Sequence, residues 1–172
     1  MKRVCVLAIA AAIFLMAVGA QAAMLQFEGF LDGLQETPPV ATPGFGDVSL
    51  LLDDTTGDWL LTGSFADLIG TTTAAHIHGP APVGTPAGII TPLTVTLGVT
   101  DGTLSGAGTF LAAQMADLQG GLYYVNVHTT VEIGGEIRGQ LDLVPEPASF
   151  ALLGVGAIGL LGIAWRRRGG GR

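Results

Sequence analysis

The sequence predicts an all-β protein: a Greek-key-like antiparallel β-sandwich of about eight strands with one short helix. An N-terminal signal helix precedes it and a C-terminal transmembrane helix follows it. Three observations lead there. The middle of the 172-residue chain is rich in Thr, Gly, Val and Leu and is punctuated by turn residues, roughly every 8–12 residues, the rhythm of sandwiches and barrels. Apolar and polar residues alternate within its segments, the two-residue period of a half-buried strand. Both ends carry long uncharged apolar runs flanked by basic residues.

The N-terminal run divides as a secretory signal does. Lys2 and Arg3 supply a positive start, residues 4–18 are apolar, and Ala20-Gln21-Ala22 fits a small-x-small cleavage site. Residues 1–22 therefore read as a signal peptide cut after Ala22 by signal peptidase. An uncleaved anchor fits less well, because the apolar stretch is short for a span. Cys5 is the only cysteine and lies inside this segment, so no disulfide staples the exported domain.

Residues 23–143 form the domain, long enough for a modest single core. They hold thirteen acidic residues and one basic residue, Arg138, a net charge of −12 against −7 for the whole chain. That field repels nucleic acid and anionic lipid, favours solubility and attracts divalent cations loosely. Strands are expected near 24–30, 47–52, 59–66, 72–78, 88–97, 103–110, 122–129 and 135–143. Residues 111–118 read as the helix, with Leu111, Met115 and Leu118 on one face. Residues 37–46 and 79–87 are Pro- and Gly-rich loops. Asp53-Asp54-Thr55-Thr56-Gly57-Asp58 reads as a hairpin turn in preference to a calcium loop, because no later bidentate Glu follows.

The tail, 144–172, opens on Val144-Pro145-Glu146-Pro147, where proline stops the strand pattern. Residues 148–165 are uncharged, and Arg166, Arg167 and Arg168 follow. A run of about 18 apolar residues can just cross a bilayer, with Trp165 at the interface and the arginines left cytoplasmic.

All three histidines, His76, His78 and His128, fall in expected strands. His76 and His78 share one face by alternation. Tyr124, Asn126 and His128 share a face of the seventh strand, while Tyr123, Val125 and Val127 share the other. In the last strand Ile137, Leu141 and Leu143 should face the core, and Glu136, Arg138, Gln140 and Asp142 outward. A hairpin loop centred near Glu132 would set Asn126 opposite Arg138 and His128 opposite Glu136, which then orients His128 as a supporting carboxylate. Three imidazoles on one face suit copper or zinc and leave a position open. The other reading is that the histidines hydrogen-bond loop backbone and order residues 79–84. No nucleophile elbow, reactive cysteine or phosphate loop appears, so a binding or structural module is expected, not an enzyme. Trp59, Tyr123 and Tyr124 are the aromatics available to a polysaccharide.

Two resemblances follow from these residues. The Pro-Glu-Pro motif, apolar span and basic terminus resemble the PEP-CTERM sorting signal of Gram-negative bacteria. That resemblance implies exosortase processing near the motif, association with exopolysaccharide, and a protein exported across the inner membrane, anchored transiently, then left at the cell surface or outside. Leu34-Gln35-Glu36-Thr37-Pro38-Pro39-Val40, Thr73-Ala74-Ala75-His76-Ile77-His78-Gly79-Pro80-Ala81, Tyr124-Val125-Asn126-Val127-His128-Thr129 and Gly134-Gly135-Glu136-Ile137-Arg138-Gly139-Gln140-Leu141 look like the CHRD domain, with Gln35 where that family usually has Asn. This implies an extracellular β-sandwich and no reaction. The order of a His-x-His strand, a later strand ending in His and a Gly-rich loop with Arg is also similar to copper/zinc superoxide dismutases. By that analogy the three histidines are copper ligands and Arg138 guides an anion. This chain lacks the further histidines, the zinc-binding site and the disulfide of those enzymes, and fold analogy does not carry activity.

Overall fold

Alternating burial, with the even positions of one segment facing the odd positions of the next, drives the strands of this chain into one sheet that closes on itself. The computed structural model describes residues 24–145 together with Ile158 and Trp165. The signal segment with Ala22, the sorting residues Glu146 and Pro147, the rest of the expected span and the arginine block lie outside the described residues. Among those described, no helix is long and apolar enough to cross a membrane.

The elements are β1 (Met24–Asp32), a 3-10 turn (Gly33–Gln35), β2 (Phe45–Asp53), β3 (Asp58–Ala66), β4 (Thr72–His78), β5 (Ile89–Val95), β6 (Gly102–Thr109), α1 (Ala112–Gln119), β7 (Tyr124–Thr129), β8 (Ile137–Gln140) and β9 (Asp142–Leu143). Neighbours run β2-β3-β6-β5-β4-β7-β8-β1, and β1 pairs with β2 to complete the ring; β9 carries on the line of β8 along β1. Every pairing is antiparallel. Two connections, β3 to β4 and β6 to β7, step over intervening strands, which makes the path a Greek key. Where two stacked sheets were expected, the pairings describe a single barrel-like sheet. The cause is β1: along its nine residues it pairs with β2, and it also bonds the last strands at Asp32–Arg138 and Phe27–Leu143.

The inward residues of each strand fill the barrel: Phe27, Leu31, Leu50, Leu61, Ile77, Val125, Val127, Ile137 and Leu141 are all fully buried. Each such side chain contributes about 1.5–3 kcal/mol on leaving water. Leu143, expected in the core, stands 44 % exposed where the last strand leaves the barrel. Trp59 stacks on Phe110 at 5.1 Å and Phe110 meets Tyr123 edge-on at 5.7 Å. These rings and Leu118 of α1 plug one end. Trp59, Tyr123 and Tyr124 are all buried, so none is a platform for a sugar ring. The acidic turn is a turn by construction: Asp53 Oδ1 accepts from the Thr55 and Thr56 amides, which holds its carboxyl below the usual range.

The outer face of β4, β7 and β8 is where expectation and structure part most. Alternation does turn Asn126, Arg138 and Gln140 away from the barrel interior, but they do not reach solvent: each is buried. The Pro- and Gly-rich loops lie across them. Arg138 Nη2 donates to the Thr85 carbonyl, Gln140 Nε2 donates to those of Ala81 and Gly121, and Thr37 Oγ1 reaches Gly84 from the other loop. This partly covered polar face is the setting of the histidines: His78 is buried, and His76 and His128 are half-buried.

Candidate metal centre

β4 and β7 are adjacent and antiparallel, with His76 opposite Asn126, His78 opposite Tyr124 and Ala74 opposite His128. That register puts His128 diagonal to His76 on the face His76 and His78 already share. The rings converge, with centroids 4.9 Å apart for His76–His128, 5.5 Å for His76–His78 and 5.8 Å for His78–His128. Each offers a ring nitrogen within 4.8 Å of the other two. Some point therefore lies within about 2.8 Å of all three, and closing to the 2.0–2.1 Å of a metal–imidazole bond takes less than about 1 Å of ring movement.

The lone pairs are set by what holds the other nitrogen. His78 Nδ1 lies 3.0 Å from the Ala87 carbonyl, and His128 Nδ1 lies 2.9 Å from that of Ile133. A carbonyl only accepts, so both Nδ1 atoms carry the proton and both Nε2 atoms present lone pairs. The buried ring nitrogens without a partner are His76 Nδ1, His78 Nε2 and His128 Nε2, one on each ring. Burial, followed by the charges of His128 and His78, lowers the His76 pKa; burial dominates for His78 as well, against the opposing Ala87 hydrogen bond. Both shifts favour the neutral imidazole, the state a metal requires. Loop contacts are made by His78 to Ala87 and by His128 to Ile133, not by His76 and not to residues 79–84, and they use one nitrogen of each of those two rings.

Asn126 stands opposite Arg138 and Val127 opposite Ile137, the expected register. The supporting role expected of Glu136 is overturned. Glu136 precedes β8 by one residue, so strand alternation does not direct its side chain. Its Oε1 accepts from Thr42 Oγ1 and the Ile69 amide, and its Oε2 from the Gly70 amide and Thr129 Oγ1. The carboxylate staples three loops and leaves His128 to the Ile133 carbonyl.

Three further residues complete the surroundings. Tyr124 lies parallel to His78, with centroids 5.1 Å apart and planes 8° off, and its hydroxyl accepts from the Ala87 amide. Arg138 Cζ sits 3.4 Å from the Tyr124 ring centroid, so the cation expected to guide an anion is instead laid on a ring and tied to Thr85. Glu36, only 7 % exposed, has an unpartnered Oε1, and Asn126 an unpartnered Oδ1. Both atoms lie within 2.5 Å of where a Cβ on Gly135 would stand, and Gly135 has φ of 133°. Burial pushes the Glu36 pKa up to about 7, against the opposing charge of Arg138 and the Thr37 amide. The face of β7 named Tyr124 and Asn126 in advance; nothing in the spacing pointed to Glu36, forty residues before His76.

Fold and site together define a class: an antiparallel Greek-key barrel domain with a half-buried three-imidazole cluster on its outer face. Within that class the chain belongs to the CHRD domain family, which matches residues 27–141, and its end matches the PEP-CTERM protein-sorting motif over residues 143–168. No curated protein and no solved structure matches it. The two matches support an exported, surface-sorted protein whose tail is read by exosortase.

Proposed function

We propose that the domain is a non-enzymatic metal-binding module, delivered across the inner membrane of a Gram-negative bacterium, anchored briefly by its tail and left at the cell surface or outside. One copper or zinc ion is its ligand, held by His76, His78 and His128. The observation that carries this reading is the convergence of three rings on neighbouring strands, each offering a ring nitrogen within 4.8 Å of the others and each holding one buried nitrogen without a partner. A buried polar atom without a partner costs about 1–3 kcal/mol, and three in one pocket are a standing cost that a metal ion removes.

Elemental analysis of the exported protein, exposed to copper and zinc and then dialysed, tests it. We expect about one metal per chain in the native protein and none in His128→Ala. A native chain that retains no metal ends the proposal, leaves the histidines as loop supports, and turns the search to protein and polysaccharide partners.

A further inference from the structure

The charge around the pocket says which ion it takes. Two of the donors are fixed by geometry, since His78 and His128 give their Nδ1 protons to the carbonyls of Ala87 and Ile133 and keep only Nε2 for a metal. Among the described residues no carboxylate joins the three histidines as a potential ligand. Neither of the two acids that alternation or loop covering brings nearby joins the ligand set. Glu136 is held by Thr42, Thr129 and two amides, and Glu36 lies beside Asn126 and Gly135 with its Oε1 unpartnered. The one charge stacked against the site is positive: Arg138 lies on Tyr124, and Tyr124 lies on His78.

An ion in this pocket therefore keeps its full charge. The cost of holding a charge out of water rises with its square, so a monovalent ion suffers about a quarter of the penalty of a divalent one. Donor count points the same way. Zinc takes four ligands in a tetrahedron and divalent copper prefers a tetragonal set. Three imidazoles from one sheet face leave either divalent ion to complete its set with water, whereas monovalent copper is satisfied by three nitrogens.

We propose that the three-histidine centre selects Cu(I) over Zn(II) and Cu(II), and that Arg138, stacked through Tyr124 on His78, is the residue that enforces the preference. Arg138 binds no metal here; it acts through the ring it lies on. The inference rests on the metal-binding reading above and adds to it the oxidation state.

The test uses the exported protein at neutral pH. Cu(I) affinity is measured without oxygen against the chromophoric chelator bicinchoninate, and Zn(II) and Cu(II) affinities by calorimetry. We expect Cu(I) to bind at least about 100-fold tighter than either divalent ion. In Arg138→Gln the gap should narrow by about tenfold or more through tighter divalent binding, while Arg138→Lys, which keeps the charge, should hold most of it. Divalent ions bound as tightly as Cu(I) by the native protein would overturn the proposal whatever the variants do. Equal weakening of all three ions in Arg138→Gln would remove Arg138 from it. A native chain that binds none of the three removes the metal centre itself.

Discussion

Glu36 shows how a single residue couples the pocket to its surroundings. Its carboxyl is buried and raised from 4.5 to about 7 chiefly by that burial. A group whose folded pKa is raised contributes stability that is complete below its unfolded pKa and is lost as pH climbs through the folded one. Between about pH 4.5 and 7, then, ionisation of Glu36 works against the fold. Glu36→Gln keeps the shape without the charge. It should match the native protein near pH 4.5 and exceed its stability at pH 8 by up to about 3 kcal/mol. Urea unfolding at the two pH values reads this directly, and the same difference at both would refute it. The sequence hid this residue for a physical reason. A carboxyl in a Pro-rich loop reads as solvated, and only the covering of β7 by that loop strips its water. The histidines were legible because their chemistry needs only alternation, which is local, and a strand neighbour, which the third histidine supplied.

At the scale of elements, the strand set was read nearly in full: 72–78 coincides with β4, and the other strands begin or end within a few residues of expectation. Two-residue periodicity and turn chemistry suffice for that. Which loops lie over which faces is set by contacts distant in sequence, and Glu136 is the clearest case. Its carboxylate joins the loop around Thr42, the loop at Ile69 and Gly70, and the β7–β8 hairpin at Thr129. All four partners donate. Glu136→Gln would aim an amide donor at them and leave donors unmatched in a fully buried place, so we expect a loss on the order of 2–4 kcal/mol. Hydrogen exchange at Ile69 and Gly70 should rise in the same variant. Unchanged stability and unchanged protection there would show that the staple is dispensable.

For the whole molecule, closure of the ring decides which part of the chain is essential. Val144 N donates to the Gln26 carbonyl, 2.8 Å away, and β9 ends at Leu143, so every described strand lies upstream of Pro145. A chain ending at Val144 should melt within about 1 °C of the longer protein. A chain ending at Gln140 loses Leu141, which is fully buried, and the pairing of Phe27 and Glu28 with the last strand. Large truncations of a core leucine alone cost about 2–5 kcal/mol. Its melting temperature should fall by roughly 10 °C or more, given about 2–8 °C per kcal/mol for domains of this size. Equal melting of the two shortened chains would show that the last strand is not part of the barrel's cooperative unit. Closure was beyond the reach of sequence reading because it depends on β1 serving two partners, and no local pattern in residues 24–32 distinguishes that from an ordinary edge.

The same closure bears on crowding. An open sandwich offers four edge strands whose amides and carbonyls can recruit a strand from the next molecule. In this barrel the eight main strands each have neighbours on both sides, and only the two-residue β9 stops short. Copies displayed side by side on one surface thus offer, among the described strands, only the short stretch where β5 and β6 part beyond Thr94–Ser105 as a backbone template, and with thirteen acidic residues to one basic in each domain they repel one another as well. A dense coat of such domains should remain a population of separate units, each presenting its own pocket.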